Sequence, residues 1–122
     1  LTKQLGLESK VKFLGFRKDI AEICKMADIF IFPSYQEGLP VALMEAMACD
    51  LPVIASNVRG NRDLIDKENL FEPDDIEVLS KLLKTKLKDF ENGKLEKMEY
   101  KNLEQYSLEN VLKQMADIYT DK

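Results

Sequence analysis

Apolar residues fall along this chain in short blocks separated by charged and turn-forming residues. The period of each block predicts an element. Residues 11–14 (VKFL) form a brief apolar run closed by Gly15 and predict a strand. Asp19 stands at an N-cap position ahead of Ile20, Ile23, Cys24 and Ala27, which is helical spacing. Residues 28–32 (DIFIF) are continuous and β-branched and end at Pro33, as in a parallel-sheet strand covered on both faces. A polar loop over 34–38 leads to Pro40, which suits the first position of a helix running to about Ala48. Residues 52–55 (PVIA) predict a third buried strand.

Beyond it, 57–61 predicts a turn, 62–65 a short helical piece, and Leu70 with Phe71 a small edge strand before Pro73. A long helix follows, with Asp74 or Asp75 as cap and Ile76, Leu79, Leu82, Leu83 and Leu87 on one face, until Gly93 breaks it. Ser107 caps a last helix carrying Leu108, Val111, Leu112, Met115 and Tyr119, a face expected to join the core. Residues 1–7 resemble the end of a helix. Strands alternating with helices over short links give the fold class: α/β, a partial Rossmann-like parallel sheet with flanking helices and right-handed crossovers.

The 122 residues make one domain at most, and 45% hydrophobic content is ordinary for a globular chain. The net charge of −4, with Lys and Glu intermixed, leaves no general footprint for nucleic acid. The absence of histidine excludes Ser-His and Cys-His triads and His-ligated metal sites. Cys24 and Cys49 lie in no metal-ligand spacing and are expected as reduced thiols in or near the core of a cytosolic chain. No apolar run approaches the roughly 20 residues of a membrane span. The start at Leu1 instead of Met suggests a fragment.

The chemistry concentrates in residues 33–48, which leave the carboxyl end of a strand and enter a helix. In open α/β sheets that crevice is where ligands bind. The free N–H groups of Leu39, Val41 and Ala42, together with the helix dipole, suit a diphosphate. On the helix, Val41, Met44, Met47 and Ala48 form one stripe, and Ala42, Glu45, Ala46 and Cys49 a neighbouring one. The second stripe either admits a ligand close to the backbone or packs tightly against another element. Glu37 and Glu45, one in the loop and one a turn into the helix, can both face the crevice mouth. Carboxylates accept paired hydrogen bonds and so match the vicinal diol of a ribose or hexose. A glycosidase-like acid/base pair is the weaker alternative, since nothing marks a second catalytic face.

Glu37 and Glu45 within EGLPVALMEAMACDLPVIAS closely resemble the paired-glutamate signature of retaining GT-B glycosyltransferases of family 4. FLGFRKDI upstream, and VRGNRDLI and LFEPDD downstream, extend the similarity over nearly the whole chain, the last two resembling bacterial capsule and exopolysaccharide transferases. The resemblance implies that residues 1–122 are a truncated C-terminal nucleotide-sugar-binding domain, the C-terminal half of a GT-B fold. It implies that Glu37 contacts the transferred sugar and Glu45 the ribose. It further implies that Gly38, Leu39, Val41 and Ala42 bind sugar and diphosphate oxygens through backbone amides and that the base lies by Gly15, Phe16 and Arg17. Ser34 and Tyr35 are expected chiefly to shape the loop, with Ser34 also a candidate donor contact. No metal or cofactor is implied. The partners implied are a nucleoside diphosphate sugar and an N-terminal acceptor domain, with a place in the cytoplasm or at the inner membrane face. A non-catalytic nucleotide-sugar-binding module is the alternative.

Pro40 stands where many members of that family have Gly, which removes one amide donor, and Asp50 replaces a Gly in a left-handed turn. The Arg and Lys that clasp the diphosphate in the family come from a unit not found here. Arg59 and Arg62 could reach an anionic ligand, but ion pairs with Asp63 or Asp66 are expected instead. Residues 94–101 suggest a solvated helix face.

Overall fold

The structure, a computed structural model, describes residues 1–94 and 100–120, with the side chains of 101, 102 and 118–120 excepted. Three parallel strands form one sheet: β1 (Phe30–Phe32), β2 (Val53–Ser56) and β3 (Leu70–Phe71), in that spatial order. Phe30 pairs with Val53 and Phe32 with Ala55, while Ala55 and Ser56 pair with Leu70 and Phe71. Between them run α1 (Ile20–Met26, ahead of β1), α2 (Val41–Ala48) and α3 (Arg59–Arg62), and after β3 come α4 (Ile76–Glu91) and α5 (Leu108–Thr120). The parallel α/β class expected from the alternation of elements is the class observed.

Strand β2 is central and wholly buried, as its unbroken apolar run requires. Around it Leu43, Met47, Val53 and Ile54 are closed to solvent. Each such side chain contributes roughly 1.5–3 kcal/mol of burial relative to exposure. Strand β1 differs from its expectation: the rings of Phe30 and Phe32 stack on one face 5.9 Å apart, but Ile31 on the other is 36% exposed.

Residues 11–14 do not form a strand, because no described strand runs beside them to complete a ladder, and Phe13 is left 86% exposed. Residues 1–7 are hydrogen-bonded turns and not a helix, with Leu5 N–H donating to Leu1 O and Leu7 N–H to Thr2 O. Asp19 occupies the N-cap of α1, but its carboxylate makes no capping bond, being held by the Arg17 guanidinium instead. That pairing holds Asp19 below the usual carboxylate range. Pro40, expected as the first helical residue, is the N-cap of α2, which starts one residue later at Val41.

On α2 the buried residues are Leu43, Ala46 and Met47. The expected first stripe is therefore wrong at Val41 and Ala48, which are exposed, while buried Ala46 on the second stripe fits the close-packing alternative. The helix is rotated by what it meets: α1 and β1 as well as β2 lie against it. Asp50 ends the α2 turn with φ +56, as its position required. Buried Cys24 and half-buried Cys49 are free thiols where α1 meets α2, and burial pushes the Cys24 thiol up.

The short helix α3 begins at Arg59, three residues ahead of the expected piece, because Arg62 N–H closes onto Val58 O. Asp75 caps α4 by accepting from Val78 N–H at 3.0 Å. The helix has no fully buried residue. Its 16 residues span about 24 Å, while the four residues of β2 beneath it span about 13 Å. Leu79, Leu82 and Leu83 are half-buried, whereas Ile76 and Leu87, expected on the same face, lie exposed near the ends. Ser107 caps α5 through Asn110 N–H. The apolar face of α5 is not core: Leu108, Val111, Leu112 and Met115 are exposed, and the helix rests mainly on the 3₁₀ turn Lys101–Tyr106. The side chain of Tyr119 and most of the 94–101 run lie outside the described residues.

Candidate functional site

The carboxyl ends of all three strands open on one edge of the sheet, and the loop from β1 to α2 crosses that edge. Its base is a polar bracket. Asn61, fully buried, donates from Nδ2 to Ser56 O at 2.9 Å, and Ser56 Oγ donates to the carbonyls of Ser34 and Phe32. Gly60 N–H then donates to Glu37 O at 3.2 Å. A Cβ at Gly60 would sit 2.7 Å from Gly38 O, closer than real contacts allow, and a tight 3.0 Å from Glu37 O. Position 60 is therefore glycine because α3 begins pressed against the Glu37–Gly38 backbone.

Above this bracket Glu37 is half-buried and Gly38 and Leu39 are exposed. Pro40 is fully buried and fixes the entry to α2. Val41 N–H donates to Leu39 O at 3.0 Å, so one of the three expected free amides is engaged internally. Ala42 and Leu43, in the first turn, have no intrahelical acceptor. Met44 N–H is the first to close back, onto Pro40 O. Ala42 and Glu45 are exposed on the outer face of the helix, opposite the buried Leu43–Met47 side. Glu37 thus precedes and Glu45 follows the first turn of α2 along the chain, with Glu45 near enough to Cys24 of α1 to act on its thiol. That arrangement offers amides to an anion and carboxylates to hydroxyls.

The remaining candidate residues are placed as follows. Ser34 is half-buried, and its Oγ is buried without a partner. Gly15 takes φ +64, and Phe16 is 90% exposed on the surface segment ahead of α1. Arg17 is engaged by Asp19, which raises the guanidinium pKa. The packing of α1 on α2 links this segment to the helix that carries Glu45. Arg59 and Arg62 correct the expectation of ion pairs with Asp63 or Asp66: among the described residues the one ion pair is Arg17 with Asp19.

Three features escaped the sequence. One is the Asn61–Ser56–Ser34 bracket, and a second the close approach at Gly60. The third is a cavity of about 250 Å³ on the same sheet edge, lined by Pro33, Tyr35, Phe71, Pro73 and Leu79 among others. Tyr35 OH donates to Asp74 Oδ1 across its mouth, which pushes the phenol pKa up. The signal for the cavity was present in the prolines that follow two strands. Among the described residues no helix is long and apolar enough to cross a membrane.

A family description, glycosyl transferases group 1, matches residues 1–106. Among relatives, N-acetyl-alpha-D-glucosaminyl L-malate synthase of Bacillus anthracis is 32% identical over 99% of the chain and 33% of its own length. UDP-Gal:alpha-D-GlcNAc-diphosphoundecaprenol alpha-1,3-galactosyltransferase of Escherichia coli is 42% identical over 52% of the chain and 16% of its own length. Among solved structures, Anabaena Alr3699/HepE in complex with UDP and glucose superposes with a TM-score of 0.87 at 25% identity, covering 99% of the chain and 35% of that protein. The chain thus spans between about a sixth and a third of these proteins' lengths.

Proposed function

The chain belongs to the glycosyl transferases of group 1, and from that premise we propose that it is the C-terminal, donor-binding part of a retaining enzyme that transfers a hexose from a nucleoside diphosphate sugar. The observation that carries this is the placement of Glu37 and Glu45 on either side of the first turn of α2, at the carboxyl edge of a parallel sheet. In this reading the amides of Gly38, Leu39 and Ala42 take the diphosphate and sugar oxygens. Glu45 takes the ribose hydroxyls, Glu37 the hexose, and the base lies by Gly15–Arg17. Val41 N–H turns inward to Leu39 O, so it contributes only if the loop rearranges.

In the proposed reaction the bond from the sugar's anomeric carbon to the diphosphate breaks. An acceptor hydroxyl bonds to that carbon on the same face, and its proton leaves with the diphosphate. No metal is invoked: the amides and the helix dipole carry the developing negative charge. The acceptor is proposed to be a glycan or lipid-linked sugar of bacterial surface polysaccharide, in view of the diphosphoundecaprenol acceptor that the E. coli relative's name prints. Acceptor binding is assigned to an N-terminal part of the enzyme, and the place of action to the cytoplasm at the inner membrane face. The chain alone is expected to bind nucleotide weakly and to transfer no sugar.

Amide NMR of the chain during titration with UDP, GDP and ADP tests the reading. The expected result is saturable shifts over residues 38–45 with at least one of them. Glu45→Gln should weaken that binding about tenfold, the value of one charge-assisted hydrogen bond. Shifts confined to other regions, or an undiminished affinity in Glu45→Gln, would overturn the assignment.

A further inference from the structure

The proposed site has a charge problem. Glu37 and Glu45 flank the place where a diphosphate should lie, the whole chain carries −4, and two carboxylates repel an anion. A cation at the crevice would offset that repulsion, beside the amides and the helix dipole. Arg17 is committed to Asp19 on the surface before α1. Arg62 lines a separate shallow cavity with Asn57, Ile65 and Lys67.

Arg59 is different. It is the first residue of α3, three residues past the carboxyl end of β2, and its neighbour Gly60 is bonded to Glu37 O at 3.2 Å. The missing Cβ of Gly60 fixes this approach, since any larger residue would meet the backbone of Glu37 and Gly38. The backbone of Arg59 is thereby held one peptide away from the loop that carries Glu37. Its side chain is exposed and in no ion pair, with Glu37 or with the neighbouring Asp63 and Asp66.

We propose that Arg59 is an anion-binding residue of this site, taking phosphate oxygens of a diphosphate at the crevice mouth. The proposal rests on the donor-site reading above. A guanidinium presents a planar fork of N–H donors that matches two phosphate oxygens at once, and it keeps its charge at every working pH. Two sources share this chemistry: the diphosphate of the sugar donor, and a diphosphate-linked acceptor approaching from the open side.

The test compares the wild-type chain with Arg59→Gln and Arg62→Gln, at physiological salt, by amide NMR titration with inorganic pyrophosphate, UDP and geranyl diphosphate. Both arginines are exposed, so both variants should keep the wild-type Tm. Arg59→Gln should lose about tenfold in pyrophosphate affinity, the worth of one charge-assisted contact, while Arg62→Gln keeps it. A parallel loss for UDP assigns Arg59 to the donor. A loss for geranyl diphosphate with UDP unchanged assigns it to the acceptor. Either supports the proposal. Unchanged affinities in Arg59→Gln, equal losses in both variants, or no binding of any of the three by wild type overturn it. The donor-site reading fails separately: pyrophosphate binding sensitive to Arg59, with no UDP shifts over residues 38–45, would sink that reading alone.

Discussion

Gly60 and Gly38 lie on the two sides of one contact, and only one of them has to be glycine. A methyl group at position 60 meets Gly38 O at 2.7 Å, whereas one at position 38 meets nothing within 4 Å. The obstacle at position 60 is backbone, so it yields only if the Glu37 loop or α3 moves. Gly60→Ala should therefore cost about 1–3 kcal/mol, as overpacking does. It should also alter nucleotide-induced shifts over residues 38–45. Gly38→Ala should leave stability within about 0.5 kcal/mol. Thermal unfolding of the two variants decides it, and equal melting temperatures would remove the argument that α3 positions Glu37. This contact was illegible in the sequence, since a glycine between Arg59 and Asn61 reads first as a turn. Glu37 and Glu45 were legible because their spacing and the strand–loop–helix frame survive in one dimension. Asn61 was not: a buried amide bonded to Ser56 O depends on where the chain returns.

At the scale of elements, the order of strands and helices could be read from the blocks of apolar residues, but the face each helix buries could not. On α2 nearly every residue is apolar or small, so periodicity alone ranks several stripes equally. The structure selects Leu43, Ala46 and Met47, leaving Val41 58% exposed. Leu43 is closed to solvent in the core formed with β2 and Cys24. Leu43→Ala should cost about 2–5 kcal/mol. Small domains hold only about 5–15 kcal/mol in total, so this variant should unfold at markedly lower denaturant. Val41→Ser should shift the midpoint little, within about 0.5 kcal/mol. Urea titrations followed by circular dichroism distinguish the two, and a large loss at Val41 would restore the stripe that the sequence suggested. α4 carries the opposite lesson. Its face was clearly periodic, and what the sequence lacked was the short reach of the strands beneath it, which strands Ile76 and Leu87 in solvent.

For the molecule as a whole, the departure from expectation is apolar surface left without a partner. Residues 11–14 have the composition of a strand but no neighbouring strand among the described residues, and Phe13 and Phe16 stand 86% and 90% exposed. Ile31 on β1 and the face of α5 add to this surface. Hydrophobic pattern states what a segment would bury, and only the assembled chain states whether anything is there to bury it against. Contiguous exposed apolar patches mark interaction surfaces or association hazards. The double variant Phe13→Ser/Phe16→Ser should therefore bind less of a hydrophobic dye and sediment more nearly as a monomer, at an unchanged Tm. Side chains that touch little contribute little to stability, so loss of both rings should leave the core around β2 intact. A fall in Tm of several degrees would instead mean that these rings pack against the fold in solution. The same variant bears on the proposed donor site, because Phe16 is where the base is assigned. If the base stacks there, nucleotide affinity should drop by about 1–3 kcal/mol, the range seen for base–aromatic stacking, while pyrophosphate affinity stays constant. Equal nucleotide affinity in wild type and variant would move the base away from Gly15–Arg17 without touching the roles of Glu37 and Glu45.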